Sequence, residues 1–446
     1  MKRVFFITYL FFIIGCASGQ DEKEKIEALM NAYVQQNSFN GSVLVAQRGT
    51  IILNKGYGFR NVADKIPNDE QSIFQIGSIT KQFTSAIILK LQEEKRLSVS
   101  DKLSKYFPAY PKGDSITIEQ LLTHTSGVYN YTNDSFFMAN GITKPTSREQ
   151  LMALFKDKPL DFSPGTQWNY SNSGYCLLGY IIEEVTKRPY YDAVRKYVFT
   201  PLQMAHTGFD FTHLKDPSKA TGYFKVDEKE NPPAPIVDSS VSFAAGAIYS
   251  TTGDLYKWHT ALERNAILSK SQQEKAYTSV KNHYGYGWGI DSIDGKRRVA
   301  HSGGIPGFIT HIARMPEDDV CIILLSNSMT SKLQDITNSI FAILYKKDYV
   351  LPKIRVAIAV PEETLKQYVG EYEISPQLHV TFTVKDGQLL ASPTGQPTQT
   401  LYAEKTDFFF LKNDDIQVEF TRNDKKEVDG FILYQNGVRT PCKKIK

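Results

Sequence analysis

Val320-Cys321-Ile322-Ile323-Leu324-Leu325 is six apolar residues in a row with no polar interruption. A run this short and this apolar reads as a strand packed on both faces, so a central strand with a layer on each side is expected. The patterns around it fall in a definite order. Residues 21–37 have helical periodicity. Residues 42–46 and 51–53 are short β runs around Arg48-Gly49-Thr50, a hairpin signal. Ile79, Phe83, Ala86, Ile87 and Leu91 mark an apolar helix. From about 95 to 235 the chain is richer in helix, with many Pro, Gly and Asn loops. One helix there runs from about Ser173 to Thr186, with Leu177, Leu178, Ile181 and Ile182 inward. Strand character returns at 284–290, 298–300 and 308–313, and 331–346 reads as a closing helix. This order predicts an α+β architecture: an antiparallel sheet flanked by helices, plus an all-helical lobe.

Composition shifts after Leu351. Short β runs at 379–384, 388–391, 408–411, 418–420 and 431–434 are separated by polar turns. Lys385-Asp386-Gly387 and Gln435-Asn436-Gly437 are hairpin signals. A small all-β unit, barrel or sandwich, is expected over 351–446.

Met1-Lys2-Arg3 followed by an apolar stretch from Val4 to Ile14 reads as an export signal, too short to span a bilayer as a helix. Two processing routes are open. Ala17-Ser18-Gly19 offers cleavage before Gln20, so 1–19 would be removed. Ile13-Ile14-Gly15-Cys16 is similar to a lipobox, so 1–15 would be removed and Cys16 would carry lipid. Either route places the protein in a bacterial periplasm or anchored at the envelope, with Cys16 its only link to membrane. The expected catalytic unit is then 20–350.

The net charge of +4 is spread over many acids and bases, and no basic block marks a nucleic-acid surface. Cys16, Cys176, Cys321 and Cys442 lack metal-site spacing. Cys176 lies in an apolar helix and Cys321 in an apolar strand, so both are expected as buried free thiols. No His-Glu-x-x-His is present, so no metal and no cofactor are expected. No Gly-x-Ser-x-Gly is present either, which argues against a nucleophile elbow.

Three motifs carry chemistry. Ser78-Ile79-Thr80-Lys81 opens the apolar helix, and residues three apart share a helix face. A Ser hydroxyl is a weak nucleophile until a base takes its proton, and a desolvated Lys can be that base. Tyr170-Ser171-Asn172 lies at a loop-to-helix junction, where the Tyr can relay a proton and the Asn can hold the Lys and a substrate amide. His301-Ser302-Gly303-Gly304 lies between strand runs, where glycines let a backbone edge approach a substrate and offer an N–H to an oxyanion.

In this order the motifs resemble those of the serine β-lactamase and penicillin-binding-protein superfamily, especially class C β-lactamases with related esterases and D-amino-acid peptidases. Leu121-Leu122-Thr123-His124-Thr125-Ser126-Gly127, Ser163-Pro164-Gly165 and the segments at 201–204 and 245–251 are similar to the family context. The resemblance covers about 30–345. It implies a β-lactamase/transpeptidase-like fold and a lipocalin-like β tail. It implies Ser78 as acylated nucleophile, Lys81 and Tyr170 as the base and acid system in an open order, and Asn172 as orienting group. The oxyanion hole would be the N–H groups of Ser78 and Gly304, with Ser302 and Gly303 along the substrate and His124 structural. His301 stands where lactamases typically carry Lys. It is expected to donate one hydrogen bond to an ester or amide carbonyl while carrying little charge. The expected activity is hydrolysis of esters, amides or D-peptides, including cell-wall-derived ones, with poor β-lactam turnover. The alternative is a penicillin-binding sensor or wall-binding protein that acylates with little turnover.

Overall fold

The structure is a computed structural model that describes residues 14–226, 231–353, 355–412, 416–435 and 438–446, with backbone alone for 14–19. Residues 1–13 of the expected export signal lie outside the described residues. So do Asn436 and Gly437 of one expected hairpin. The chain divides into two compact units, one comprising 1–34 and 39–350, the other 35–38 and 351–446.

The first unit is built on a six-stranded antiparallel sheet. Its strands are β1 (Gly41–Gln47), β2 (Thr50–Tyr57), β3 (Gly289–Ile293), β4 (Lys296–Ile305), β5 (Phe308–Met315) and β6 (Val320–Ser326), in the spatial order β2-β1-β6-β5-β4-β3. The apolar run is the central strand β6, buried at every position. Its side chains alternate between two cores. Cys321, Ile323 and Leu325 join one, and Val320, Ile322 and Leu324 the other. The second core holds α1 (Ile14–Gln35) and the helix at Leu333–Leu344 against one sheet face. The first core holds α2 (Thr80–Glu93), α3 (Asn172–Thr186), α4 (Ser239–Gly246) and α5 (Thr252–Glu263) against the other, and it includes the helical lobe. Arg48 and Gly49 both have positive φ, 51° and 72°, as a two-residue type I′ hairpin requires.

One strand reading is corrected. Residues 284–288 are not strand; the strand begins at Gly289. Gly287 has φ of 78°, and a Cβ at Gly285 would overlap the Ala276 carbonyl. These two glycines fold Tyr284, Tyr286 and Trp288 into a tight loop before β3.

The second unit is a closed, eight-stranded barrel in up-and-down order: β7 (Gly370–Ser375), β8 (Leu378–Lys385), β9 (Gln388–Pro393), β10 (Gln399–Lys405), β11 (Phe408–Phe410), β12 (Ile416–Arg422), β13 (Val428–Gln435) and β14 (Val438–Lys444). Of the two alternatives, the barrel is the one that forms. Asp386 and Gly387, with φ of 51° and 70°, make its β8–β9 turn. Tyr368, Tyr372, Phe382, Phe409, Phe420 and Phe431 pack ring against ring among its buried side chains.

Among the described cysteines, Cys176, Cys321 and Cys442 are free and buried. No described helix is long and apolar enough to cross a membrane.

Candidate active site

Gly77–Ile79 is a short 3-10 turn that runs directly into α2. The turn leaves Ser78 partly exposed, while Lys81, on the first turn of α2, is wholly buried. Lys81 Nζ lies 2.9 Å from Ser78 Oγ, 2.8 Å from Asn172 Oδ1 and 2.8 Å from the Ala245 carbonyl oxygen. The Tyr170 hydroxyl donates to Ser78 Oγ at 2.8 Å. The structure thus brings Ser78, Lys81, Tyr170 and Asn172 into one hydrogen-bonded group.

Burial governs the protonation of this group. Desolvation disfavours the Lys81 ammonium and pulls its pKa down to about 7, against a smaller opposing influence of Cys176. Burial pushes Tyr170 upward, and its hydrogen bond to Ser78 only partly offsets this. Tyr170 is therefore a neutral hydroxyl near pH 7, while Lys81 is divided between amine and ammonium.

Each side chain is held in place by its local fold. Ser171 caps α3 by accepting from the Gly174 N–H, so Asn172 begins the helix. Asn172 Nδ2 donates to Thr132 Oγ1 at 3.3 Å, which leaves its carbonyl oxygen for Lys81. The Ala245 carbonyl depends on a kink in α4. Phe243 there has φ 36° and ψ −131°, a conformation costing about 1–3 kcal/mol in a residue with a side chain. After the kink the Ala244 carbonyl accepts from Thr84 and the Ala245 carbonyl from Lys81. Gly179 makes the room: a Cβ there would sit 2.5 Å from Ala244 Cβ and 2.6 Å from Phe243 Cε1.

The third motif lies on β4. Strand β3 pairs with β4 only as far as Ala300, so from His301 onward that edge of β4 is free of strand partners among the described residues. The edge meets the Ser78 turn. A Cβ at Gly303 would overlap the Ile76 carbonyl, and one at Gly77 would fall 2.9 Å from the Gly304 nitrogen. Glycine at 77 and 303 lets the two backbones touch, which sets the Gly304 nitrogen beside the Ser78 turn. At Gly304 the Cβ direction is open. Ser302 is exposed, with its Oγ 2.9 Å from His311 Nδ1.

His301 requires a correction. Its Nδ1 lies 2.6 Å from the Ser302 carbonyl oxygen, which can only accept, so Nδ1 carries the proton. Its Nε2 lies 2.8 Å from the Tyr284 hydroxyl. Burial, with Lys81 nearby, pulls the ring's pKa down to about 3. The imidazole is neutral, and its single N–H is already used. The expected hydrogen bond from His301 to a substrate carbonyl has no proton to supply it.

Two further residues belong to the site. His124 accepts the Ser171 N–H at its Nδ1, 3.1 Å away, and its carbonyl accepts the Asn169 N–H. Its ring lies 4.2 Å from that of Tyr170. It therefore holds the Tyr170 loop from both sides, a structural role in keeping with the sequence reading. Tyr284 was legible only as part of a strand pattern, and the sequence carries no sign of its pairing with His301. Trp168, Tyr170, Tyr284, His301, Ser302 and Arg298 line a cleft of about 430 Å³.

One group could suggest a metal. His259, Glu263 and Asp319 bring one ligand atom each within 4.8 Å of one another. The buried Arg314 guanidinium fills that role instead, donating to His259 Nδ1 at 2.8 Å and to Glu263 and Tyr277. His259 Nε2 in turn lies 3.0 Å from Asp319 Oδ1.

A family model described as Beta-lactamase matches residues 24–344, and one described as Domain of unknown function (DUF3471) matches 354–440. Penicillin-binding protein 4* of Bacillus subtilis (strain 168) is 28% identical over 446 residues, covering 94% of this chain and 98% of its own. The octameric penicillin-binding protein homologue from Pyrococcus abyssi superposes with a TM-score of 0.67 at 27% identity, over 94% of this chain and 99% of that one. A D-stereospecific amidohydrolase from Streptomyces sp. superposes with a TM-score of 0.61 at 26% identity, over 73% of this chain and 98% of that one.

Proposed function

The chain belongs to the Beta-lactamase family, and from that premise we propose that it is a serine hydrolase working through an acyl-enzyme on Ser78. The observation that carries this reading is the convergence of Lys81 Nζ and the Tyr170 hydroxyl on Ser78 Oγ, at 2.9 and 2.8 Å. The family places the chain among hydrolases, and similarity to a D-stereospecific amidohydrolase and to penicillin-binding proteins supports amide, ester or D-peptide substrates.

The protonation states assign the roles. Asn172 Oδ1 and the Ala245 carbonyl can only accept, so two Lys81 N–H bonds are committed to them. In the neutral amine the lone pair then faces Ser78 Oγ. Lys81 takes the Ser78 proton as Oγ attacks the substrate carbonyl, and the C–N or C–O bond to the leaving group breaks after the tetrahedral stage. Tyr170, kept protonated by burial, stands at Ser78 to deliver a proton to the departing group. The N–H groups of Ser78 and Gly304 receive the oxyanion across the Gly77 junction. Water then releases the acyl group by the same steps in reverse. The basic start and apolar run at residues 4–14 support work outside the cytoplasm, on cell-wall-derived material among other substrates.

Rapid-quench assays with chromogenic esters, D-amino-acid amides and a cephalosporin test this reading. A burst of one equivalent followed by steady turnover of an ester or amide is expected. A burst without turnover would replace the hydrolase by a sensor or binding protein. Neither turnover nor a Ser78 adduct with any of them would remove the acyl-enzyme.

A further inference from the structure

Tyr284 arrives at the site on the tight loop before β3. Its amide donates to the Lys281 carbonyl and its carbonyl accepts from Val280. Its ring is buried among His124, Trp168, Tyr170 and His301, with centroids 4.7, 6.2, 6.4 and 5.7 Å away. Its hydroxyl interacts with His301 Nε2 and with the Tyr175 hydroxyl, and the buried ring leaves it little other freedom. Burial keeps it protonated, so in the neutral pair the tyrosine donates and Nε2 accepts.

We propose that Tyr284 is a specificity-determining residue that caps His301, so that the imidazole of the third motif offers substrate neither a positive charge nor a donor and the cleft selects groups without a carboxylate. This rests on the serine-hydrolase reading and names its substrate class: amides and esters whose portion in this cleft is uncharged.

The rest of the cleft agrees. Arg298 lines it, but its guanidinium makes a two-point contact with Asp291, at 2.7 and 2.5 Å, and a third bond to Asn338. Its charge is matched before any substrate enters. His311 is buried, with its pKa pulled down to about 4 by burial and Arg298, and it is neutral near pH 7. The groups that face His301 are Lys81 from α2, Tyr170 and His124 from the loops before α3, His311 from β5 and Tyr284 itself. The one cation among them, Lys81, is committed to Ser78, Asn172 and Ala245. Trp168, Tyr170 and Tyr284 supply apolar ring faces instead. His283 stands exposed at the rim.

The test compares a D-alanyl-D-alanine peptide bearing a free carboxylate with the same peptide capped as its amide. Wild type should prefer the capped form by about tenfold or more in kcat/KM. Tyr284→Phe keeps the ring and uncovers Nε2. It should cut that preference severalfold, most at the acid end of the pH range, because burial and Lys81 still hold the uncovered ring's pKa low. Lys281→Ala, exposed on the same loop but outside the cleft lining, should leave the preference unchanged, which separates the loop from the cap. Nitrogen-15 spectra of wild type supply a readout independent of turnover: His301 should be the Nδ1–H form with an unprotonated Nε2 from pH 5 to 8. An Nε2–H or doubly protonated ring in that range overturns the inference. So does a Tyr284→Phe variant with wild-type preference and pH profile. A protein inert to every substrate and acylating agent would instead strike at the serine-hydrolase reading, while the spectra would still decide the cap.

Discussion

At the scale of single residues, one buried lysine sets the pH dependence. In the proposed mechanism Lys81 must be neutral to accept the Ser78 proton, and its pKa is lowered to about 7. The rate of Ser78 acylation should therefore fall about tenfold per pH unit below 7 and level off above it. Stopped-flow acylation across pH 5 to 9 measures this. His301, pulled down to about 3, should add no break in that window. Tyr170→Phe and Lys81→Ala should each cost about 10²–10⁴ in rate. The double variant should lose far less than the product of the two, because both act on the proton of one hydroxyl. Fully multiplicative losses would mean separate roles. The spacing of Ser78 and Lys81 was legible in the sequence because a helix places i and i+3 together. The capping of His301 was not. It depends on a loop seventeen positions earlier folding back onto β4, and no local pattern encodes that approach.

At the scale of elements, strands buried on both faces were the most legible, because β6 carries its environment in its own composition. The misread segment at 284–288 has the aromatic content of a strand, yet Gly285 and Gly287 bend its backbone. In the barrel, β10 and β14 mix polar and apolar residues in strands with an exposed face, so they left little signal. The junction of α5 with β5 makes a prediction of its own. His259 accepts from Arg314 and faces Asp319, and burial pulls its pKa down to about 4 from the ordinary 6.5. Below pH 6.5 the unfolded chain binds this proton and the folded one does not. Stability is thus whole above 6.5 and is lost as pH falls towards 4, by about 3 kcal/mol from this group. Urea melts at pH 7 and pH 4.5 should show the loss. His259→Gln should be less stable at pH 7 but should flatten the slope between the two. An unchanged slope would mean His259 is not the group that resists protonation.

At the scale of the whole molecule, all three motifs lie in the unit that ends at Val350, and the barrel has its own closed core. A chain truncated after Val350 should keep Ser78 acylation, measured by probe labelling together with circular dichroism to show that it is folded. A folded truncation that fails to label would make the barrel part of the chemistry. The compositional shift after Leu351 made the β unit visible in sequence, whereas closure into a barrel depends on the β7–β14 pairing between the two ends of the unit. The account as a whole rests on one covalent event. Intact-protein mass spectrometry after exposure to a fluorophosphonate or penicillin, followed by peptide mapping, tests it directly. The account predicts one adduct per chain, on Ser78, and none on Ser78→Ala. Labelling of Ser78→Ala at the wild-type rate, or an adduct mapped to another residue, would contradict it.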